Sequence, residues 1–282
     1  MQRVWHMNLT ADLELESPRK TLSASTLRTA ERFAPRAASL LVPRGDRVWD
    51  GRSELHDASE LEGRAFCPTP RVLARFAAAD VCTRPAPSLD VLRATNDRAF
   101  CAALGRTLPR AHGLTCRSEL RLGPGEWLLK RAFGFAGRGQ RAVRAPLTES
   151  DERWLAASLR LGGVEVEPCV ELLREVGSPG YIEGERVRVG DPVEQFCVAG
   201  VWRESRRLEP GDLADDVAAS LRGAAREVGH ALRERGYFGP FGVDAYLYRL
   251  RSLDTPRWNL RSEINARYSM GWALGWSTRP DL

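Results

Sequence analysis

The residues best suited to chemistry stand close together near the C-terminus, in the segment Glu263-Ile-Asn-Ala-Arg267. Alternate residues of a β-strand point to the same face, so the pattern predicts that Glu263, Asn265 and Arg267 share one surface while Ile264 and Ala266 pack behind it. Carboxylate and amide oxygens suit Mg²⁺, which also binds substrate phosphates, and arginine holds a phosphoryl or carboxyl group in a fork of donors. A solvated strand would show the same triplet, so its meaning depends on the rest of the chain.

A further carboxylate, Asp244, follows a glycine-rich turn and begins a predicted strand, 243–250. The next predicted strand, 258–267, ends beyond Glu263. If the two strands pair as a hairpin, both carboxylates lie at the same end and can share one magnesium ion. An aspartate after such a turn can equally have a structural role.

Lys130 is unusual in this chain, because only Lys20 and Lys130 among the 42 basic residues are lysine. It stands directly before a glycine-rich segment, residues 131–140. The pattern predicts a strand over 126–130, a loop, and a return strand over 141–143. Strand, loop and strand form a flap, which differs from the strand–loop–helix of a P-loop or a Rossmann turn.

The bulk composition is that of an ordinary soluble protein, with 282 residues, 43% hydrophobic and 28% charged, enough for two or three subdomains. No apolar run approaches the roughly 18 residues of a membrane helix, and the first residues lack the apolar core of a secretory signal, so we expect a cytoplasmic protein without membrane contact. The net charge of +5 comes from arginines dispersed among acidic residues, which argues against nucleic acid as the main partner. The sequence carries no signal of a particular oligomeric state.

The six cysteines show no Cys-x-x-Cys pair and no histidine at metal-ligand spacing. This pattern argues against a zinc site and against a disulfide framework. We therefore predict buried, reduced, structural thiols.

The order of predicted elements begins with a small α/β unit in residues 1–88. Its short apolar runs, 39–42 and 64–67, read as strands, and 72–79 reads as a helix. Further on, the pattern predicts helices over 89–94 (with Ser88 as N-cap), from 96 to 105, over 150–160 and over 212–235, and a strand over 163–170. His230 lies off the apolar stripe of the long helix and is expected to be exposed, while Trp272 and Trp276 are expected in the core.

Together these segments resemble the ATP-grasp superfamily. The resemblance covers residues 90 to about 275 and rests on segments in the expected order: 127–130 with 134–139, 164–170, 242–244 and 263–267. It implies an α+β fold of two lobes that hold ATP, preceded by a small α/β domain. The implied domains are 1–88, 89–163 for the small lobe with the flap, and 164–282 for the large lobe with the metal site.

The resemblance also implies a role for each matching residue. Lys130 would contact the nucleotide phosphates, and Arg267 would steady the transferring phosphoryl group or the acyl phosphate, which makes these two the catalytic residues. Magnesium, with manganese as the alternative ion, would be bound by Asp244, Glu263 and Asn265. The remaining implied ATP contacts are the flap residues Gly134, Gly137, Arg138 and Gly139, the adenine contacts Glu167 and Val170, and Glu175 for the ribose.

One position departs from the superfamily pattern. Members usually carry a second phosphate-binding lysine in a sequence such as Asn-Asp-Lys, and here Asn96-Asp97-Arg98 places arginine there. Arginine keeps the charge but spreads it over a fork. We expect Arg98 to bind phosphate in place of the lysine.

The activity implied by the resemblance is ligation. ATP would phosphorylate a small-molecule or peptide carboxylate, and an amine would displace phosphate to form an amide-type bond. The alternatives are a phosphotransferase that uses the same nucleotide site, a non-catalytic nucleotide-binding protein, and a nucleic-acid binder that uses its arginines. Neither the carboxylate nor the amine can be named from the sequence.

Overall fold

The computed structural model describes residues 2–18, 21–135, 137–198, 200–250 and 254–281, so Ala136 of the predicted flap lies outside the described residues. Three β-sheets occupy successive parts of this chain. The strands are β1 Gln2–His6, β2 Arg47–Trp49, β3 Leu61–Ala65, β4 Cys82–Thr83, β5 His112–Leu114, β6 Glu126–Phe135, β7 Arg138–Arg144, β8 Val164–Pro168, β9 Glu171–Glu183, β10 Arg186–Val189, β11 Val193–Val198, β12 Val201–Arg207, β13 Gly239–Arg249 and β14 Arg257–Asn265. The helices are α1 Ala11–Glu16, α2 Ala24–Leu41, α3 Pro70–Ala78, α4 Leu89–Asn96, α5 Arg98–Ala103, α6 Glu149–Leu159 and α7 Asp215–Glu234.

The first sheet is parallel and has the order β2-β1-β3-β4. The helix predicted over 72–79 is α3, and its buried Val72 and Phe76 pack in one cluster with Trp49 of β2. The strand predicted over 39–42 is wrong, since residues up to Leu41 belong to α2. The apolar run continues the stripe by which α2 buries one face, so its period is helical.

The second sheet has the order β5-β8-β6-β7 and contains the flap. Its hairpin, β6 and β7, confirms the predicted strand, loop and strand, but both strands extend further toward the tip than the sequence indicated. Strand β8 pairs with β5 and β6. This sheet therefore continues past residue 163, where the small lobe was predicted to end.

The third sheet holds the residues with which the sequence analysis began, in the order β12-β11-β9-β13-β14 with β10 added to β9. Strands β13 and β14 form the predicted antiparallel hairpin, in which Asp244 faces Glu263 and Gly242 faces Asn265. Ile264 and Ala266 are buried behind them, as predicted. Because cross-strand partners share a face, the two carboxylates lie side by side.

The predicted helices are present, with shifts of a few residues at their ends. Ser88 caps α4 by accepting a hydrogen bond from the Val91 backbone N–H. Helix α6 begins earlier than expected, because Thr148 and Asp151 form a reciprocal capping box. His230 is exposed on α7, as predicted.

The largest hydrophobic core joins the beginning and the end of the chain. Trp5 and Phe66 from the first unit pack in it with Tyr268, Trp272 and Trp276 from the region after β14, so both tryptophans lie in the core as predicted. Trp272 also donates its indole N–H to the Gly180 carbonyl at 2.9 Å. No helix in the described ranges is long and apolar enough to span a membrane.

Candidate active site

A cleft of about 300 Å³ lies where all three sheets meet. Helices α1 and α2 of the first unit form one end, and strands β6, β9, β11 and β13 form the other. Of the predicted site residues, those that line the cleft are Arg98, Lys130, Gly134, Gly137, Arg138, Glu175, Asp244, Glu263, Asn265 and Arg267.

Asp244 and Glu263 form the centre of the cleft. The Asp244 carboxylate accepts hydrogen bonds from the Asn265 amide at 2.9 Å and from the Gln195 amide at 3.1 Å. Each donor uses an amide nitrogen, so the carbonyl oxygens of both amides remain available as ligands. Two carboxylates and an amide oxygen thus lie together, as the sequence predicted for a magnesium site.

The two carboxylates differ in their electrostatics. Burial and the nearby negative charge of Glu263 raise the pKa of Asp244 to about 6. Burial alone would also raise the pKa of Glu263, but the positive charges of Arg98, Lys130 and Arg267 lower it. Asp244 is therefore ionised at neutral pH beside a second carboxylate. Arg267 lowers its pKa from a distance, but no cation of the described residues forms a salt bridge with it, and a bound cation would relieve the cost of this buried charge.

Two basic residues approach the carboxylates from the second sheet and α5. Lys130 on β6 forms an ion pair with Glu167 of β8 at 2.6 Å. Arg98 donates one guanidinium nitrogen to Glu263 at 2.9 Å and another to the Arg131 carbonyl at 2.6 Å. The fork of Arg98 therefore spans two partners, which the single ammonium of a lysine could not do with the same geometry.

Arg267 is held from the opposite side by the first unit. Its Nε and Nη2 donate to the two carboxylate oxygens of Asp12 in α1 at 3.1 and 2.7 Å. Its Nη1 donates to the Tyr268 carbonyl at 3.0 Å, and its guanidinium lies over the Phe66 ring, 5.2 Å from the ring centre. Since a guanidinium carries five N–H donors, two remain for a ligand in the cleft.

The flap extends from the second sheet over the cleft. A Cβ at Gly134 would lie 2.8 Å from the Arg138 carbonyl, so only glycine allows the two strands to approach so closely here. At the tip, Gly137 has a φ of 75°. Arg138 reaches across to α2, where it donates hydrogen bonds to the hydroxyl groups of Thr26 and Thr29.

The end of the cleft away from the first unit is lined mainly by apolar side chains, among them Leu128, Leu172, Val176 and Tyr246. Glu175 lies there too, and burial raises the pKa of its carboxyl group. Such a lining offers an apolar slot with few polar groups, which suits a purine base joined to a ribose.

The other predicted nucleotide contacts lie outside the described lining of the cleft. The Glu167 side chain is engaged by Lys130, and Val170 packs with Leu108, Tyr246 and Tyr248. Gly139 lies in the flap hairpin with a φ of 86°. The roles of Glu167, Val170 and Gly139 at a nucleotide therefore stay predictions.

Among the cleft residues that the sequence analysis missed, three are polar and close to the predicted ones: Asp12, Gln195 and Cys197. Asp12 lies in an acidic stretch with Glu14 and Glu16, all with relative exposures of 8%. Buried acids in an arginine-rich chain require partners, but the sequence does not say which arginine supplies one. Gln195 and Cys197 alternate along β11 without a distinguishing pattern.

The cysteines are reduced throughout the described chain, as expected, but not all are buried. Cys67 and Cys101 lie in the core, while Cys82 and Cys116 are exposed. Cys197 lines the cleft beside Glu175, and burial raises the pKa of its thiol to about 12, so it is a poor nucleophile at neutral pH.

Within the described ranges, no three His, Cys, Asp or Glu side chains gather at a metal-binding distance. The predicted ligand set has only two carboxylates, which an amide supplements. Such a set suits Mg²⁺ that arrives with a nucleotide, because substrate phosphates and waters supply its other ligands.

No known protein-family model matches the chain, and no curated protein matches it significantly. Solved structures do resemble it. An N5-carboxyaminoimidazole synthetase from Staphylococcus aureus, complexed with ADP, is 11% identical, with a TM-score of 0.50 over 96% of this chain and 71% of that one. A pyruvate carboxylase from Rhizobium etli is 14% identical, with a TM-score of 0.56 over 98% of this chain and 27% of that one.

These similarities establish the fold alone, because identities this low carry no information about the substrate. The chain has the ATP-grasp fold, as the order of its sequence segments indicated. The site described above occupies the cleft between the second sheet, the third sheet and the first unit.

Proposed function

We propose that the protein is an ATP- and magnesium-dependent ligase that joins a carboxylate to an amine through an acyl phosphate. The observation that carries the proposal is the directly opposed pair Asp244 and Glu263. It lies between the cations Lys130 and Arg98 on one side and Arg267 on the other. A cytoplasmic location belongs to the proposal, since ATP is abundant there.

The nucleotide would lie with its base in the end of the cleft away from the first unit, beside Leu128, Leu172 and Val176, and with its phosphates near Lys130. The ammonium group would exchange part of its contact with Glu167 for phosphate oxygens, since charge-assisted hydrogen bonds to either partner are similar in strength. The flap would cover the phosphates with backbone N–H groups, which excludes water from the site.

The carboxylates and the Asn265 amide fit magnesium by their chemistry, and the ion would offset the buried negative charge of Asp244. When bound, the ion neutralises charge that develops on the phosphate oxygens. Arg98 would keep Glu263 ionised and correctly oriented, since it donates to that carboxylate and is itself fixed by a backbone carbonyl.

The proposed reaction has two steps. A substrate carboxylate oxygen attacks the γ-phosphorus, and the bond to the β–γ bridging oxygen breaks, so that ADP leaves with the electron pair. The amine nitrogen then attacks the acyl carbon, phosphate leaves, and the nitrogen loses a proton. The two free donors of Arg267 would hold the carboxylate and then the negative charge of the acyl phosphate.

The experiment measures ADP release with a panel of carboxylic acids in the presence of hydroxylamine, which converts an acyl phosphate into a coloured hydroxamate. We expect hydroxamate formation to require both ATP and magnesium. Transfer of phosphate to a stable phosphoester without hydroxamate would instead indicate a phosphotransferase. ATP binding without ADP release from any acid would indicate a non-catalytic nucleotide-binding protein.

Glu263→Gln supplies the internal check. It removes one charge from the opposed pair but keeps the shape of the side chain, so we expect loss of magnesium-dependent turnover with an unchanged circular dichroism spectrum. A fully active variant would remove Glu263 from the metal site.

A further inference from the structure

We infer that the acid activated in this cleft is a monocarboxylate with an apolar body, of about the size of a phenylpropanoate. The inference rests on the proposed ligase function and adds the chemical class of its substrate. It follows from the lining of the cleft end that the first unit builds.

The end of the cleft next to the first unit is lined mainly by apolar side chains, and a ligand can reach it. Leu9 from the loop before α1, Phe66 from the end of β3 and Phe135 from the flap are buried around it. Phe33 of α2 and Met270 are only partly buried and complete the lining. Contact with these side chains favours a ligand that removes apolar surface from water.

The charges at this end leave room for a single negative group. The charged residues of the lining there are Asp12, Arg138 and Arg267, which together carry one net positive charge. Asp12 is already matched by Arg267 through two hydrogen bonds. Arg138 meets only the hydroxyl groups of Thr26 and Thr29, and no carboxylate of the described chain pairs with it.

The position of Arg267 links the anion to the apolar wall. Its two remaining N–H donors suit a carboxylate, which arginine binds in a fork geometry. Its guanidinium carbon is 5.2 Å from the centre of the Phe66 ring. The carbon chain of a carboxylate held by Arg267 would therefore begin next to the apolar lining to which Phe66 and Phe33 belong.

The same arrangement disfavours other substrate classes. A phosphorylated acid would need several uncommitted cations, and Arg138 is the one cation of this end without an acidic partner among the described residues. An amino acid would need an anion for its ammonium group, but Asp12 is committed to Arg267. Burial of either group without a partner would cost affinity.

The test measures kcat/KM for hydroxamate formation with 3-phenylpropanoate, hexanoate, acetate, glutarate and glycerate 3-phosphate. We expect phenylpropanoate and hexanoate to exceed acetate by roughly 100-fold or more, since two buried methylenes at about tenfold each already give that factor. Preference for glutarate or glycerate 3-phosphate would overturn the inference but leave the proposed ligase function intact. The shift in melting temperature on addition of magnesium and ATP is measured separately. If ATP with magnesium causes no shift, both the inference and the proposed ligase function are overturned.

Variants locate the effect in the apolar wall. Phe33→Ala is expected to raise the KM for phenylpropanoate roughly tenfold while the KM values for acetate and ATP stay unchanged. Phe33→Leu, which keeps an apolar side chain, should show a smaller rise and serves if the alanine variant fails to fold. Phe238→Ala is the matched control, because Phe238 is exposed and does not line the cleft. An equal response of Phe33→Leu and Phe238→Ala would contradict the inference.

Discussion

Replacement of Asp244 by asparagine is expected to stabilise the protein in the absence of nucleotide and to abolish its activity. The pKa of Asp244 is raised from 3.8 to about 6, so the folded protein binds this proton more tightly than the unfolded chain does. Its free energy of unfolding therefore falls as the pH rises from about 4 to about 6, and the loss persists at higher pH.

The size of the effect follows from the same pKa. A displacement of about two pH units corresponds to about 3 kcal/mol at pH 8, because each unit is worth 1.36 kcal/mol. Asparagine carries no charge and removes this cost. Its amide must share hydrogen bonds with Gln195 and Asn265, which requires one of those amides to turn, so we expect a net gain of about 1–3 kcal/mol.

Urea unfolding followed by tryptophan fluorescence, with EDTA in place of magnesium, measures the difference. The advantage of Asp244→Asn over the unaltered protein should grow by about 1 kcal/mol between pH 5 and pH 8. Asp191→Asn is the control, since Asp191 is an exposed aspartate outside the cleft. If Asp244→Asn is less stable than the unaltered protein at pH 8, or if its advantage does not grow with pH, the electrostatic reasoning is wrong.

Three further substitutions test the basic residues and the contact between the first unit and Arg267. Lys130→Ala should weaken ATP binding roughly 10- to 100-fold, as expected for loss of a charge-assisted hydrogen bond, and unchanged affinity by calorimetry would contradict the assignment of Lys130 to the phosphates. Arg98→Lys should lower the free energy of unfolding by about 1 kcal/mol, because one ammonium group cannot keep both partners of the fork; urea unfolding measures it, and an unchanged midpoint would show that the fork is dispensable. Asp12→Asn should lower kcat roughly tenfold with little change in the KM for ATP, because Arg267 loses the ion pair that orients it. A lower melting temperature with full kcat would instead limit Asp12 to a structural role.

Much of the site was predictable where it depends on local periodicity. The alternation from Glu263 to Ala266 indicated which residues face the cleft and which are buried. A strand at Asp244 was also predicted correctly, but the glycine-rich turn before it was wrong, because residues 239–242 already belong to β13. Both signals depend on residues that are close together in the chain, so the sequence alone shows them.

What could not be predicted depends on contacts between distant parts of the chain. The pairing of Asp12 with Arg267 joins residues 255 positions apart, and no periodic pattern records it. Arg98 was expected at the phosphates, but its principal partners here are Glu263 and a backbone carbonyl. The place of Arg98 near the site could be predicted from the neighbouring Asn96-Asp97 pair, whereas its hydrogen-bond partners depend on how the lobes pack together.

The shared core has a consequence for attempts to dissect the protein. The Tyr268 backbone N–H donates to the Phe66 carbonyl at 3.2 Å, and the Arg64 guanidinium donates to the Asp281 carbonyl at 3.2 Å. A fragment that begins at residue 84 would leave Trp272 and its neighbours facing water and would deprive Arg267 of its counterion. The first eighty or so residues thus form one wall of the cleft, and we expect their removal to yield an aggregating polypeptide instead of a smaller folded protein.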